Sequence, residues 1–155
     1  NIKFLIAGHG NKMPSVRQAA ERLPNVRICD FLRGTAFEHA VAASSCGIVS
    51  LEKGLTGMCA PSKYYSYLQG GLPILAIAEQ SSYLSKEALH SEIGLCSDVG
   101  NGVQLTQNIL QLYQDPELCE KLSGNAVRLY TEKYAKGIGL NKYATLFKNV
   151  LRTAN

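Results

Sequence analysis

The sequence predicts an α/β fold: a Rossmann-like parallel sheet flanked by helices, followed by a helical C-terminal tail. Three observations carry this reading. Short apolar runs alternate with stretches of helical periodicity as far as Cys96. The runs are apolar at consecutive positions, as in Leu72 to Ala78, so the strands are expected to be covered on both faces. The last third shows helical periodicity alone.

The elements follow in order. Lys3 to Ala7 is a buried strand ended by Gly8-His9-Gly10. Val16, Ala19, Ala20 and Leu23 fall at helical spacing, with Pro14 near the start and Pro24 beyond the end. Val26 to Cys29 is a second strand. Thr35-Ala36-Phe37-Glu38 has the capping-box pattern and opens a short helix through Ala43. Cys46 to Leu51 is a third strand, followed by a loop with Gly54 and Gly57. Tyr64, Tyr65 and Leu68 mark a helix that stops at Gly70-Gly71. Leu72 to Ala78 is the most apolar strand. A helix over Ser82 to His90 and a strand at Gly94 to Cys96 complete the alternation. In the tail, Leu105, Ile109 and Leu112 mark one helix. Asp115-Pro116-Glu117 caps the next, and Tyr143, Phe147, Val150 and Leu151 mark the last.

A chain of 155 residues, 46% hydrophobic and 18% charged, has the composition of a globular domain rather than a disordered segment. The net charge of +4 suits an anionic ligand and gives no nucleic-acid signature. No apolar run reaches the ~18 residues of a membrane span. The five cysteines, Cys29, Cys46, Cys59, Cys96 and Cys119, are odd in number and include no C-x-x-C pair. That spacing excludes a zinc pattern and a paired disulfide framework, and the expectation is free thiols in a cytoplasmic protein. No metal site is expected.

Ligands of parallel sheets bind at the carboxyl ends of the strands, so the loops after Ala7, Cys29, Leu51 and Ala78 are the places to search. Gly8-His9-Gly10 is either a plain turn or a close approach of backbone to ligand; it lacks the third glycine of a dinucleotide fingerprint. Phe31-Leu32-Arg33 offers an arginine that is either solvated or a phosphate contact. The Gly54–Gly57 loop leads into Pro61-Ser62-Lys63 at a helix start. Backbone N–H groups, the helix dipole and the lysine there suit an anion, with ordinary N-capping as the alternative. No Walker loop and no G-x-S-x-G elbow is present. Asp30, Glu38, Glu52 and Asp98 are loop carboxylates, but no pair suited to acid–base work stands out. Catalytic residues are therefore not assigned.

Residues 3–10, residues 26–31 followed by Phe37 to Ala43, and above all Pro61-Ser62-Lys63-Tyr64-Tyr65-Ser66-Tyr67-Leu68-Gln69-Gly70-Gly71-Leu72-Pro73-Ile74-Leu75-Ala76 resemble the C-terminal domain of retaining glycosyltransferases of the GT-B fold. The resemblance covers nearly the whole chain. It implies one donor-binding domain over residues 1–155, holding a nucleotide sugar, with a UDP-sugar as the first expectation, and no other cofactor. Position by position it implicates Gly8, His9 and Gly10 at the cleft edge. Phe31, Leu32 and Arg33 come near the nucleobase, and Gly57, Ser62 and Lys63 at the diphosphate and sugar. Many members carry two glutamates on and before the diphosphate helix; here those positions hold Met58 and Ser66. Ser66 keeps a hydroxyl for a ribose.

The family's domain also opens with an earlier strand, so the resemblance implies a fragment. Both that strand and an N-terminal acceptor domain would be missing, and the fragment would be inactive alone. The uncovered sheet edge implies self-association, and the full enzyme, a hexosyltransferase making a polysaccharide or glycolipid, would touch membranes at most peripherally. The alternative is a non-catalytic Rossmann-like module that binds a nucleotide or a protein. An NAD-dependent oxidoreductase lacks the full fingerprint.

Overall fold

The computed structural model of the protein describes residues 1–153. Contacts divide the chain into two compact units, residues 1–43 and the chain from Ser44 onward. Each is described by itself.

The first unit is β1 (Phe4–Ala7), α1 (Met13–Ala20), β2 (Val26–Cys29) and α2 (Thr35–Ala42). β1 and β2 pair in parallel, with Phe4 opposite Val26 and Ala7 opposite Cys29. α1 starts earlier than the apolar spacing suggested, because Pro14 fits its first turn. It ends at Ala20, where the chain turns: the Leu23 N–H reaches the Ala20 carbonyl, the Val26 N–H reaches that of Leu23, and Leu23 stays exposed. The expected capping box is not formed. Gly34 is the N-cap, at φ +53°, and no side chain caps the helix. The Phe37 and Glu38 N–H groups bond the Gly34 carbonyl, which places Thr35 inside the first turn.

The second unit is β3 (Gly47–Ser50), α3 (Ser62–Gln69), β4 (Ile74–Ile77), α4 (Tyr83–His90), β5 (Gly94–Ser97), α5 (Gly102–Gln114), α6 (Pro116–Leu129) and α7 (Lys136–Thr153). Its sheet runs β3-β4-β5, all parallel, with Ile74 opposite both Gly47 and Gly94. The alternation of strands and helices was legible in the sequence; the division of the strands into a pair and a triplet was not, because alternation does not say which strands share hydrogen bonds.

β4 is the centre of this unit. Ile74 and Ala76 face Tyr64 and Leu68 of α3, Leu84 and Ala88 of α4, and Ala126 of α6. Leu75 faces the other way, onto Leu112 and Leu122. Burying each large apolar side chain contributes about 1.5–3 kcal/mol, so this double-sided packing dominates the unit. Gly70 caps α3 as its sequence suggested, Ser82 caps α4 by accepting the Ser85 N–H, and Asp115 caps α6 by accepting the Leu118 N–H at 2.9 Å. Between α6 and α7 lies a π-helical turn, Tyr130–Tyr134, that no sequence signal announced. No described helix is long and apolar enough to cross a membrane.

Candidate phosphate site and its surroundings

In the second unit the chain leaves β3 at Ser50, runs through a loop and enters α3 at Ser62. Pro61 is the N-cap, with φ −65° and ψ 114°, and no side chain caps the first turn. That helix start borders a shallow cavity of about 220 Å³ lined by Ile48, Val49, Ser50, Pro61, Ser62 and Lys63. Ser62 and Lys63 are exposed. The cavity therefore joins the carboxyl end of a parallel strand, an uncapped helix N-terminus and an ammonium group. The helix N-terminus and the ammonium favour an anion, and the strand end is where ligands of parallel sheets bind.

Gly57 lies elsewhere. It lines a second cavity of about 310 Å³ with Leu51, Met58 to Pro61, Tyr64, Tyr65, Tyr83 and Leu84. Pro61 is common to both cavities, so the residues expected in one site fall on two sides of the same proline. Ser66 sits one turn farther along α3, half-buried, and lines neither cavity.

The first unit gathers the other expected residues. Gly8 and Gly10 take φ of +155° and +144°, and the Gly8 N–H reaches the Cys29 carbonyl at 3.3 Å, which ties the turn after β1 to the end of β2. The His9 ring meets the Phe31 ring edge-on, centroids 5.6 Å apart. The Arg33 guanidinium lies 5.2 Å from the centre of the Phe31 ring. Phe31 is 53% exposed. The carboxyl ends of both strands thus carry an open aromatic platform flanked by a cation, an arrangement suited to a planar, negatively charged ligand. Leu32, between them, is half-buried.

Sequence reasoning missed a buried charge cluster in the second unit. Glu87 of α4 is 7% exposed. It accepts hydrogen bonds from Tyr64 at 2.5 Å, Tyr83 at 2.7 Å, Tyr134 at 2.7 Å and Lys133 Nζ at 2.5 Å. The hydroxyls of Tyr83 and Tyr134 also lie side by side. Burial by itself would raise the Glu87 pKa, but Lys133 and the three hydroxyls outweigh it and hold the carboxyl below its ordinary value. The same contact raises the Lys133 pKa. Burial, then the bond to Glu87, pushes the Tyr64 phenol up. Burial, then its contacts with Tyr83 and Glu87, does the same for Tyr134. Tyr83 stands one helical turn before Glu87, but Tyr64, Lys133 and Tyr134 lie 23 to 47 residues away and leave no local pattern to read. Tyr64 and Tyr83 also line the second cavity, so this cluster fixes part of its wall.

All five thiols are unpaired. Burial raises the pKa of Cys46 and of Cys96, which keeps them protonated and poorly nucleophilic. Among the described residues no group of three or more His, Cys, Asp or Glu side chains is placed to hold a metal ion.

The chain is 27% identical over 154 residues to the probable glycosyltransferase WbjE of Pseudomonas aeruginosa, a match covering 96% of this chain and 37% of that protein. Its structure superimposes on the crystal structure of WaaG, a glycosyltransferase involved in lipopolysaccharide biosynthesis, with a TM-score of 0.66. That match has 16% identity and covers 86% of this chain and 34% of WaaG. The fold is that of a GT-B glycosyltransferase C-terminal domain. No protein-family profile matches the chain. It spans about a third of the length of both proteins it resembles.

Proposed function

We propose that this chain is the nucleotide-sugar donor-binding part of a longer retaining glycosyltransferase that builds a polysaccharide or glycolipid, with a UDP-sugar as donor. The observation that carries the reading is the cavity at the end of β3, where the first turn of α3 and Lys63 converge. In this role Lys63 and the helix N-terminus neutralise the diphosphate, first as it binds and then as it leaves the sugar. Phe31, Leu32 and Arg33 serve the base, and the Gly8–Gly10 turn serves the cleft edge. These roles rest on the geometry of the first unit alone, as the diphosphate role rests on that of the second. Ser66 supplies a hydroxyl toward the ribose. The longer protein brings the acceptor-binding part, acts in the cytoplasm and meets membranes peripherally, and the isolated chain associates with itself.

Calorimetric titration of the chain with UDP, GDP and ADP tests the reading. Saturable binding, strongest for UDP, is the expected result; no binding of any of the three at millimolar concentration would contradict it. That outcome would favour a non-catalytic interaction module. Met58 and Ser66, at the places of the acidic pair in the resembled family, are the observation on that side.

A further inference from the structure

We infer that Glu79 is a positioning residue: a latch that fixes the loop leading into α3, and through it the phosphate-binding start of that helix. The inference rests on the phosphate reading of the β3–α3 cavity. The loop carries glycines at two left-handed positions, Gly54 at φ +83° and Gly57 at φ +82°. Such residues meet the turn geometry at no steric cost but leave the backbone with more freedom to lose. Local turns hold it in part: the Leu55 N–H bonds the Glu52 carbonyl and the Met58 N–H bonds that of Leu55.

Leu55 packs against the core, and one carboxylate adds a polar link to the end of β4. Glu79 Oε2 accepts the Gly54 N–H at 3.1 Å and the Thr56 hydroxyl at 3.2 Å, from residues 25 and 23 positions earlier. A carboxylate oxygen with two donors is a strong, short-range tie, because charge-assisted bonds exceed neutral ones.

The backbone around Glu79 is hydrogen-bonded on both sides. This residue follows β4, where the Ala78 N–H bonds the Ser97 carbonyl at 3.1 Å. Its own carbonyl accepts the N–H of Ser82 at 2.9 Å, and Ser82 is the fully buried cap of α4. A fixed frame thus reaches through one side chain to a glycine-bearing loop and on to Pro61, Ser62 and Lys63. Glu79 lines neither cavity, so it acts through the loop rather than on the ligand.

The test combines amide exchange with UDP titration on the wild-type chain, Glu79→Ala and Glu79→Gln. In Glu79→Ala, exchange at the Gly54 amide should quicken about tenfold or more while the global unfolding midpoint moves little. UDP affinity should fall by about tenfold, and Glu79→Gln, whose amide oxygen still accepts both bonds, should restore most of it. Unchanged Gly54 exchange in Glu79→Ala would overturn the latch. Faster exchange with wild-type UDP affinity would overturn the positioning role. Failure of the wild-type chain itself to bind UDP would instead overturn the phosphate reading on which the role depends.

Discussion

β1 and β4 read alike in the sequence and behave differently in the fold. Both are four-residue strands of apolar side chains. In β4 three of the four residues are buried, with Ile74 and Ala76 fully so, because helices cover both sides of a three-stranded sheet. In β1, Leu5 is 49% exposed and Ile6 37%, and the strand has one partner. An apolar run therefore reports the tendency to form a strand; burial depends on how many neighbours that strand acquires. The same contrast separates α3, whose Tyr64 and Leu68 are buried, from α7, where Leu140, Tyr143, Leu146, Phe147 and Leu151 lie exposed at helical spacing. Amphipathic spacing defines a face and leaves its cover undefined.

The contrast breaks most sharply under truncation of apolar side chains. Leu68→Ala removes a side chain with no exposure and should destabilise the chain by ~2–5 kcal/mol. Leu5→Ala should cost less than ~1 kcal/mol, since half of that side chain is already in water. Urea unfolding of both variants measures the difference; equal losses would show that the first unit's sheet is as well covered as the second's.

A smaller effect sharpens the picture within the second unit. Tyr64→Phe keeps the ring in the core and takes one donor from Glu87, an expected loss of ~1–3 kcal/mol. The pH dependence has a definite sign. The folded-state pKa of Glu87 lies below its ordinary 4.5, so the cluster's contribution is complete above that value and is lost as pH falls through the lower, folded one. For Lys133 the folded pKa is raised, so its share persists below the ordinary 10.5 and is lost as pH rises through the higher value. Removing the Tyr64 hydroxyl moves the Glu87 pKa upward. Acid unfolding of Tyr64→Phe should therefore begin at higher pH than in wild type, measurable as urea midpoints from about pH 7 down to about pH 3. Parallel acid profiles would show that Glu87 does not set the acid stability.

Local patterns carried much of the fold. Leu72 to Ala78 announced a strand buried on both faces, Gly70-Gly71 the end of α3, and Asp115-Pro116 the start of α6. The capping box at Thr35 misled because Gly34 supplies a left-handed entry that the four-residue pattern does not encode. Contiguous candidates were legible as groups: Pro61, Ser62 and Lys63 line one cavity of the second unit, and Arg33 lies over Phe31 in the first. Groupings of side chains that meet across a unit were not legible. Glu87 draws its partners from α3, its own helix and the π-helical turn, and Glu79 reaches back 25 residues to Gly54. The family resemblance groups Gly57 with Lys63, whereas in the structure the two line different cavities that share Pro61.

In the proposed function, the cavity at the start of α3 holds a diphosphate through Lys63. The most direct measurement is calorimetric titration of wild type and Lys63→Ala with UDP and with uridine. A charge-assisted bond of ~1.5–3 kcal/mol corresponds to roughly a ten- to hundredfold loss of UDP affinity in Lys63→Ala, with uridine binding unchanged because the lysine meets only phosphate. Equal UDP affinity in the two proteins would contradict the claim and move the phosphate contact toward Arg33 or the Gly8–Gly10 turn.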